Sequence, residues 1–146
     1  MKIIFFIIII YNFLIVTSQS NESFDLVCQG ISSKTKSASS YNNVTGETTG
    51  TNYQSESSTK INLSFFEEGN ETKGWIQLPS HILPKIKKKK KGNRYDLYNL
   101  ELDDEFFTAK FKLNAINKPS LSLDFKTGMM EFKGFGISFS GECFKR

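Results

Sequence analysis

From Phe107 to Leu113 every second residue is apolar: Phe107, Ala109, Phe111 and Leu113 alternate with Thr108, Lys110 and Lys112. A period of two sends successive side chains to opposite faces of an extended strand, so only one face can enter a core. The pattern recurs at Phe24–Leu26–Cys28, Ile61–Leu63–Phe65, Leu121–Leu123–Phe125, Met130–Phe132 and Phe135–Ile137–Phe139. No stretch sustains a 3.6-residue period. The expected fold is all-β: a small antiparallel meander of six to eight strands, closed as a sandwich or barrel. Trp75, Ile76 and Leu78 belong to one returning strand, ended by Pro79 and Pro84, and Tyr95 to Leu102 form the next. Hairpin turns are expected at Glu68–Asn70, Asp103–Asp104 and Lys126–Gly128. Met130–Phe132 and Phe135–Ile137–Phe139 are out of phase by one residue, and a bulge near Gly134 is expected to restore the phase. Eleven of the 14 phenylalanines lie beyond residue 18, mostly at inward positions, where core packing explains them.

The first 18 residues read as a separate unit. Lys2 is followed by an apolar run from Ile3 to Val16, then small residues suited to cleavage after Ser18. A membrane-spanning helix takes about 20 apolar residues, so the run is read as a secretory signal over 1–18, leaving a single domain over 19–146. Export makes the two cysteines, Cys28 and Cys143, a disulfide pair. Both sit on the inward phase of terminal strands, and if those strands are neighbours their bond closes the sheet on itself. Residues 31–59 shift to Ser, Thr, Asn and Gly. Part of this stretch can pair as polar strands, but Ser39 to Asn52 read as a flexible loop.

Little here suggests catalysis. His81 is the only histidine and lies in a proline-flanked loop. No G-x-S-x-G elbow occurs. Ser33–Lys36 and Ser57–Lys60 match S-x-x-K, but that chemistry places the lysine one helical turn from the serine, and neither stretch signals a helix. Glu101 to Glu105 lack the spacing and glycine of a calcium loop. Two cysteines and one histidine fall short of a structural zinc site, so no metal or cofactor is expected. Asn21, Asn43, Asn62 and Asn70 open N-x-[ST] sequons, which matter only in a eukaryotic secretory route.

Leu26, Cys28 and Gly30; Leu113, Asn114, Asn117, Lys118 and Pro119; Asp124, Thr127 and Gly128; and Gly141 and Cys143 form a recognisable series. It resembles a set of small exported proteins of AT-rich marine alphaproteobacteria, with an early L-x-C-x-G strand, an LN-x-x-NKP stretch, a D-x-x-TG turn and a final G-x-C strand. The match is good at both ends and poor in the middle. Where that pattern carries an arginine, this chain has Phe125, so any polar role of the arginine is absent. The resemblance implies a periplasmic, disulfide-closed β domain and supplies no catalytic residue.

Charge is distributed unevenly. Lys85, Lys87, Lys88, Lys89, Lys90, Lys91 and Arg94 crowd into one connection. With these seven and Lys2 set aside, 11 basic residues face 15 acidic ones, so the remainder of the domain is acidic. Threading the meander places Glu67, Glu68, Glu71, Glu101, Asp103, Asp104 and Glu105 at the opposite end. A run of like cations attracts polyanions. For an exported protein these are anionic lipid headgroups, surface polysaccharide or an acidic protein. Nucleic acid fits the charge but not the compartment, and no aromatic is interleaved in the run to stack on bases. The plainer reading is a solubilising loop whose lysines keep neighbouring edges from pairing. The sequence thus points to a monomeric, non-enzymatic periplasmic or extracellular domain that binds or scaffolds at the envelope. The alternative is a small-ligand carrier or enzyme using the barrel interior, which would require a large internal cavity with convergent polar groups.

Overall fold

The computed structural model describes residues 23–83 and 91–146. The signal segment, Asn21 and residues 84–90 of the lysine run lie outside the described residues, as does the side chain of Lys91. Eight strands follow in chain order: β1 (Ser23–Tyr41), β2 (Thr48–Glu68), β3 (Glu71–Gln77), β4 (Arg94–Leu102), β5 (Phe106–Phe111), β6 (Ser120–Asp124), β7 (Met129–Gly134) and β8 (Ile137–Lys145). Each pairs antiparallel with the next, and β8 returns to β1, closing a barrel. Among the described residues the only helical turn is a 3₁₀ turn at Lys91–Asn93.

Alternation sorts the two faces. Ile61, Leu63, Phe65, Ile76, Phe107, Phe111, Leu121, Leu123, Met130 and Phe132 are almost wholly buried, whereas Thr108, Lys110, Ser120, Ser122, Glu131, Lys133 and Ser140 point outward between them. A membrane-spanning barrel shows an apolar band to lipid and a polar lumen, the reverse of this arrangement. Rings fill the interior. Phe24 stacks on Phe65 at 4.9 Å and Phe65 on Phe107 at 4.0 Å, while Phe111 meets Phe132 edge-on at 5.4 Å.

Closure depends on the β1–β8 seam. Cys28 lies opposite Cys143 in the register and is bonded to it. Two residues along, Gly30 lies opposite Gly141. A Cβ on Gly30 would meet the Ser140 carbonyl oxygen at 2.1 Å, and one on Gly141 the Gln29 carbonyl oxygen at 2.4 Å. Only glycine tolerates so close an approach of two backbones. Cys-x-Gly and Gly-x-Cys are therefore mirror halves of one antiparallel pairing. The bond spans 115 residues, which the chain-entropy model values at about 5 kcal/mol. Its Cys28 sulfur packs 3.7 Å from the Met130 sulfur.

Three expectations need correction. Phe135 does not face inward: it is 83% exposed at the tip of a two-residue turn, because Gly134 pairs directly with Ile137. A two-residue hairpin reverses phase by itself, so no bulge arises at Gly134. The extra residue sits instead in β4, between Tyr98 and Glu101, where Asn99 takes a φ of 49°. Nor are Ser39 to Asn52 mainly loop. β1 and β2 stay in register to Tyr41 and Thr48, forming an arm beyond the barrel, and only 42–47 turn.

Candidate functional site

The strand order divides the connections between two ends. The β2–β3, β4–β5 and β6–β7 turns share one end with both described chain termini, and Arg146 N donates to Asp25 O there. The β1–β2 arm, the β3–β4 connection, the β5–β6 loop and the β7–β8 turn share the other. The nine residues of β4 span about 30 Å at 3.3 Å each, well beyond the Debye length of roughly 8 Å at physiological salt. The ends are therefore electrostatically independent.

The first end is acidic. Glu67, Glu68, Glu71, Asp103, Asp104 and Glu105 are exposed on its turns and outnumber the exposed Lys126, Lys145 and Arg146 there. Lys73 pairs with Glu68 at 2.5 Å in the open. The ammonium of Lys73 holds the Glu68 carboxyl below its ordinary range, and the carboxylate raises Lys73 in turn. Such an exposed pair adds little stability. A mouth of about 380 Å³ opens here between Phe24, Leu102 and Phe125, rimmed by Glu67, Asp103 and Asp104. Glu101 lies near the end of β4, and the turn follows at Asp103 to Glu105, where Asp103 Oδ1 accepts from Glu105 N at 2.8 Å and Phe106 N at 2.6 Å.

At the other end the β3–β4 connection folds back as a plug. Ile82 N and Leu83 N donate to Pro79 O and Ser80 O, and Ile82 and Leu83 are buried over the barrel. Beneath them lies a polar cluster that sequence reading missed. The hydroxyls of Ser32 and Thr59, both buried, are 2.5 Å apart, and Thr59 Oγ1 is 3.1 Å from His81 Nε2. Lys34 Nζ donates to Leu83 O. Extending the Cys28 phase through Gly30 to Ser32 and Lys34 was the available signal. The cluster satisfies polar groups under the plug, which buried hydroxyls require. His81 is thus part of the plug's anchorage. The S-x-x-K pairs lie on strands, where residues three apart take opposite faces.

Beyond the plug, Gln77 Nε2 donates to Gly92 O at 3.0 Å and Leu78 N to Asn93 O at 3.1 Å, pinning the flanks of the lysine run. Lys85 and Lys87–Lys90 lie outside the described residues; Lys91 begins the 3₁₀ turn, and Arg94 begins β4 with its guanidinium 4.1 Å above the Trp75 ring centre. The described cations at or near this end include exposed Lys36, Lys60, Lys110, Lys112, Lys118 and Lys133. Glu47 and Glu56 on the arm and Asp96 in β4 are the carboxylates toward this end. On the outer face a hollow of about 820 Å³ runs from β4 across β5 to β8 and onto β1 and β2, floored by Ser120, Ser122, Ser138 and Ser140 and flanked by Lys110 and Lys133 and by Glu56, Glu101 and Glu131. Ser120 stands between those two lysines in the ladder, paired with Lys110 on one side and Lys133 on the other.

Among the described residues, no three His, Cys, Asp or Glu side chains come together as a metal site. Asn43 and Asn70 occupy exposed turns, whereas Asn62 is half-buried and donates to Gln77 Oε1 at 3.0 Å. No family model matches the chain, and neither the curated proteins nor the solved structures contain a match to it.

Proposed function

We propose that the chain is an exported, non-enzymatic binding domain that engages polyanionic surfaces of the cell envelope through its basic end. The supporting observation is charge segregation along the barrel: acidic turns at one end, Lys36, Lys60, Arg94, Lys112, Lys118 and the lysine run's anchored flanks toward the other. The turns of the two ends lie about 30 Å apart, so the acidic turns do not screen the excess of these cations over Glu47, Glu56 and Asp96, and such an excess attracts an anionic partner. The disulfide agrees with an oxidising compartment, periplasmic or extracellular, as does the resemblance to small exported proteins.

The interior-site alternative, a carrier or enzyme, finds less support. Stacked phenylalanines and buried Leu, Ile and Met side chains occupy the lumen, and both hollows described above open to the outside. Titration calorimetry with dextran sulfate at low and high salt tests the proposal. Binding that weakens with salt, and is lost when Lys87 to Lys91 together with Lys112 and Lys118 become Gln, is expected. Absence of binding by the wild type at low salt would return the lysines to a solubilising role.

A further inference from the structure

Of the apolar side chains exposed toward the basic end, Val44 lies at the tip of the β1–β2 arm, whereas Ile116 and Phe135 stand on connections that touch each other. Ile116 is 85% exposed and Phe135 is 83% exposed. They stand at the tips of separate connections, Ile116 between β5 and β6 and Phe135 between β7 and β8. Those connections are knotted together. Asn117, itself buried, donates from Nδ2 to Phe135 O at 2.8 Å and accepts at Oδ1 from Phe135 N at 2.9 Å. A Cβ on Gly134 would fall 2.6 Å from both Asn117 Oδ1 and Pro119 Cγ. Thr35 N donates to Gly136 O at 2.9 Å, tying the knot to β1. The two tips are thus fixed on one scaffold and presented to solvent together.

The surroundings specify a partner. Lys112, Lys118 and Lys133 are exposed beside the knot. Neither connection carries a carboxylate; the turn-forming acceptor is Asn114, whose Oδ1 takes Ile116 N at 2.9 Å and Asn117 N at 2.7 Å. Apolar tips ringed by cations match the layering of an anionic bilayer, with phosphates at the level of the lysines and acyl chains below. A soluble polysaccharide has the anions but no apolar phase for an isobutyl-sized and a phenyl group. We infer that the basic end docks on anionic lipid bilayers by inserting Ile116 and Phe135 below the headgroups while the surrounding lysines contact the phosphates. This rests on the polyanion reading above and narrows it to one occupant.

The test compares wild type, I116S/F135S and K112Q/K118Q/K133Q on vesicles of phosphatidylcholine with phosphatidylglycerol as the anionic lipid, on pure phosphatidylcholine vesicles, and on dextran sulfate. Both tip residues are exposed, so I116S/F135S should keep the wild-type unfolding midpoint and its affinity for dextran sulfate. Its affinity for the anionic vesicles should fall by at least about tenfold, the loss expected when two apolar side chains no longer leave water. The lysine variant should weaken on both anionic ligands. Wild-type affinity of I116S/F135S for vesicles would overturn the inference. So would a wild type that binds dextran sulfate but not vesicles, which would make the partner a polysaccharide and leave the proposed function standing. A wild-type dimer that dissociates on I116S/F135S substitution would show instead that the tips cover a second copy. Binding of wild type to neither ligand would refute the proposed function and the inference together.

Discussion

The turns at the two ends of the barrel use one hydrogen-bonding geometry with different charge. At the acidic end Asp103 and Asp124 each turn an Oδ1 onto two backbone N–H groups, Asp124 onto Lys126 N at 2.8 Å and Thr127 N at 3.1 Å. At the basic end Asn42 and Asn114 do the same, Asn42 toward Val44 N at 2.9 Å and Thr45 N at 3.5 Å. An Asx turn requires only an acceptor oxygen, which Asp and Asn both provide. The turn geometry therefore admits either residue, and the choice follows the charge of each end. The ends also differ in what they bury. The acidic half holds the seam disulfide and the Phe24–Phe65–Phe107 stack; the basic half exposes Ile116 and Phe135. The basic half is packed as well, with Phe111, Phe132 and Phe139 in ring contact and Ile82 and Leu83 buried over the barrel. The covalent closure thus lies toward the first end, and recognition is proposed at the second.

That contrast can be broken by experiment, starting with the seam. C28S/C143S should lose up to about 5 kcal/mol of unfolding free energy, the entropy that a bond closing so long a loop removes from the unfolded chain. Guanidinium denaturation of the variant against the oxidised wild type measures it. A loss below about 1 kcal/mol would show that the β1–β8 ladder alone keeps the barrel shut. Next, Phe107→Ala should cost about 3–5 kcal/mol, because it opens a cavity inside the stack. Phe135→Ser should stay within about 0.5 kcal/mol of wild type, since its ring packs on nothing that folding requires. Equal effects from the two substitutions would show that Phe135 is packed as Phe107 is and is not a free tip.

A charge exchange at the turns sharpens the comparison further. Asn114→Asp should leave the fold intact yet lower affinity for an anionic surface about fivefold, the effect of roughly one charge near such a surface. Asp124→Asn should leave binding unchanged and act only on stability. The N–H of Thr127, before other contributions, holds the Asp124 carboxyl below its ordinary range. A depressed folded-state value stabilises above the unfolded value and is lost as pH falls through the folded one. Wild type should therefore exceed Asp124→Asn in thermal midpoint at neutral pH, with the gap closing in acid below the usual carboxylate range.

The acidic half was readable from the residues because each feature there is a local rule. Phe107 to Leu113 alternate; Asp103–Asp104 and Lys126–Gly128 carry turn chemistry; Cys28 and Cys143 share a phase. The basic half was harder, because its features depend on pairing between distant segments. Phe135 looks inward in sequence: a two-residue hairpin and a bulge both reverse phase by one, and only the Gly134–Ile137 pairing distinguishes them. The β1–β2 arm reads as loop because neither of its faces is buried, so Ser and Thr occupy both. Asn117 could be matched to a motif, but its two bonds to Phe135 span 18 residues and left no local trace. The Ser32–Thr59–His81 cluster similarly joins three segments.

The most direct test of the proposed basic end is residue-resolved. Backbone amide spectra of the ¹⁵N-labelled domain, titrated with dextran sulfate at low salt, locate the contact without any substitution. Shifts are expected at Lys36, Arg94, Lys112 and Lys118 that disappear as salt is raised, with Phe24, Asp103 and Asp124 unmoved. Shifts centred on the acidic mouth, or on the serine-floored outer face away from Lys112 and Lys118, would contradict binding at the basic end.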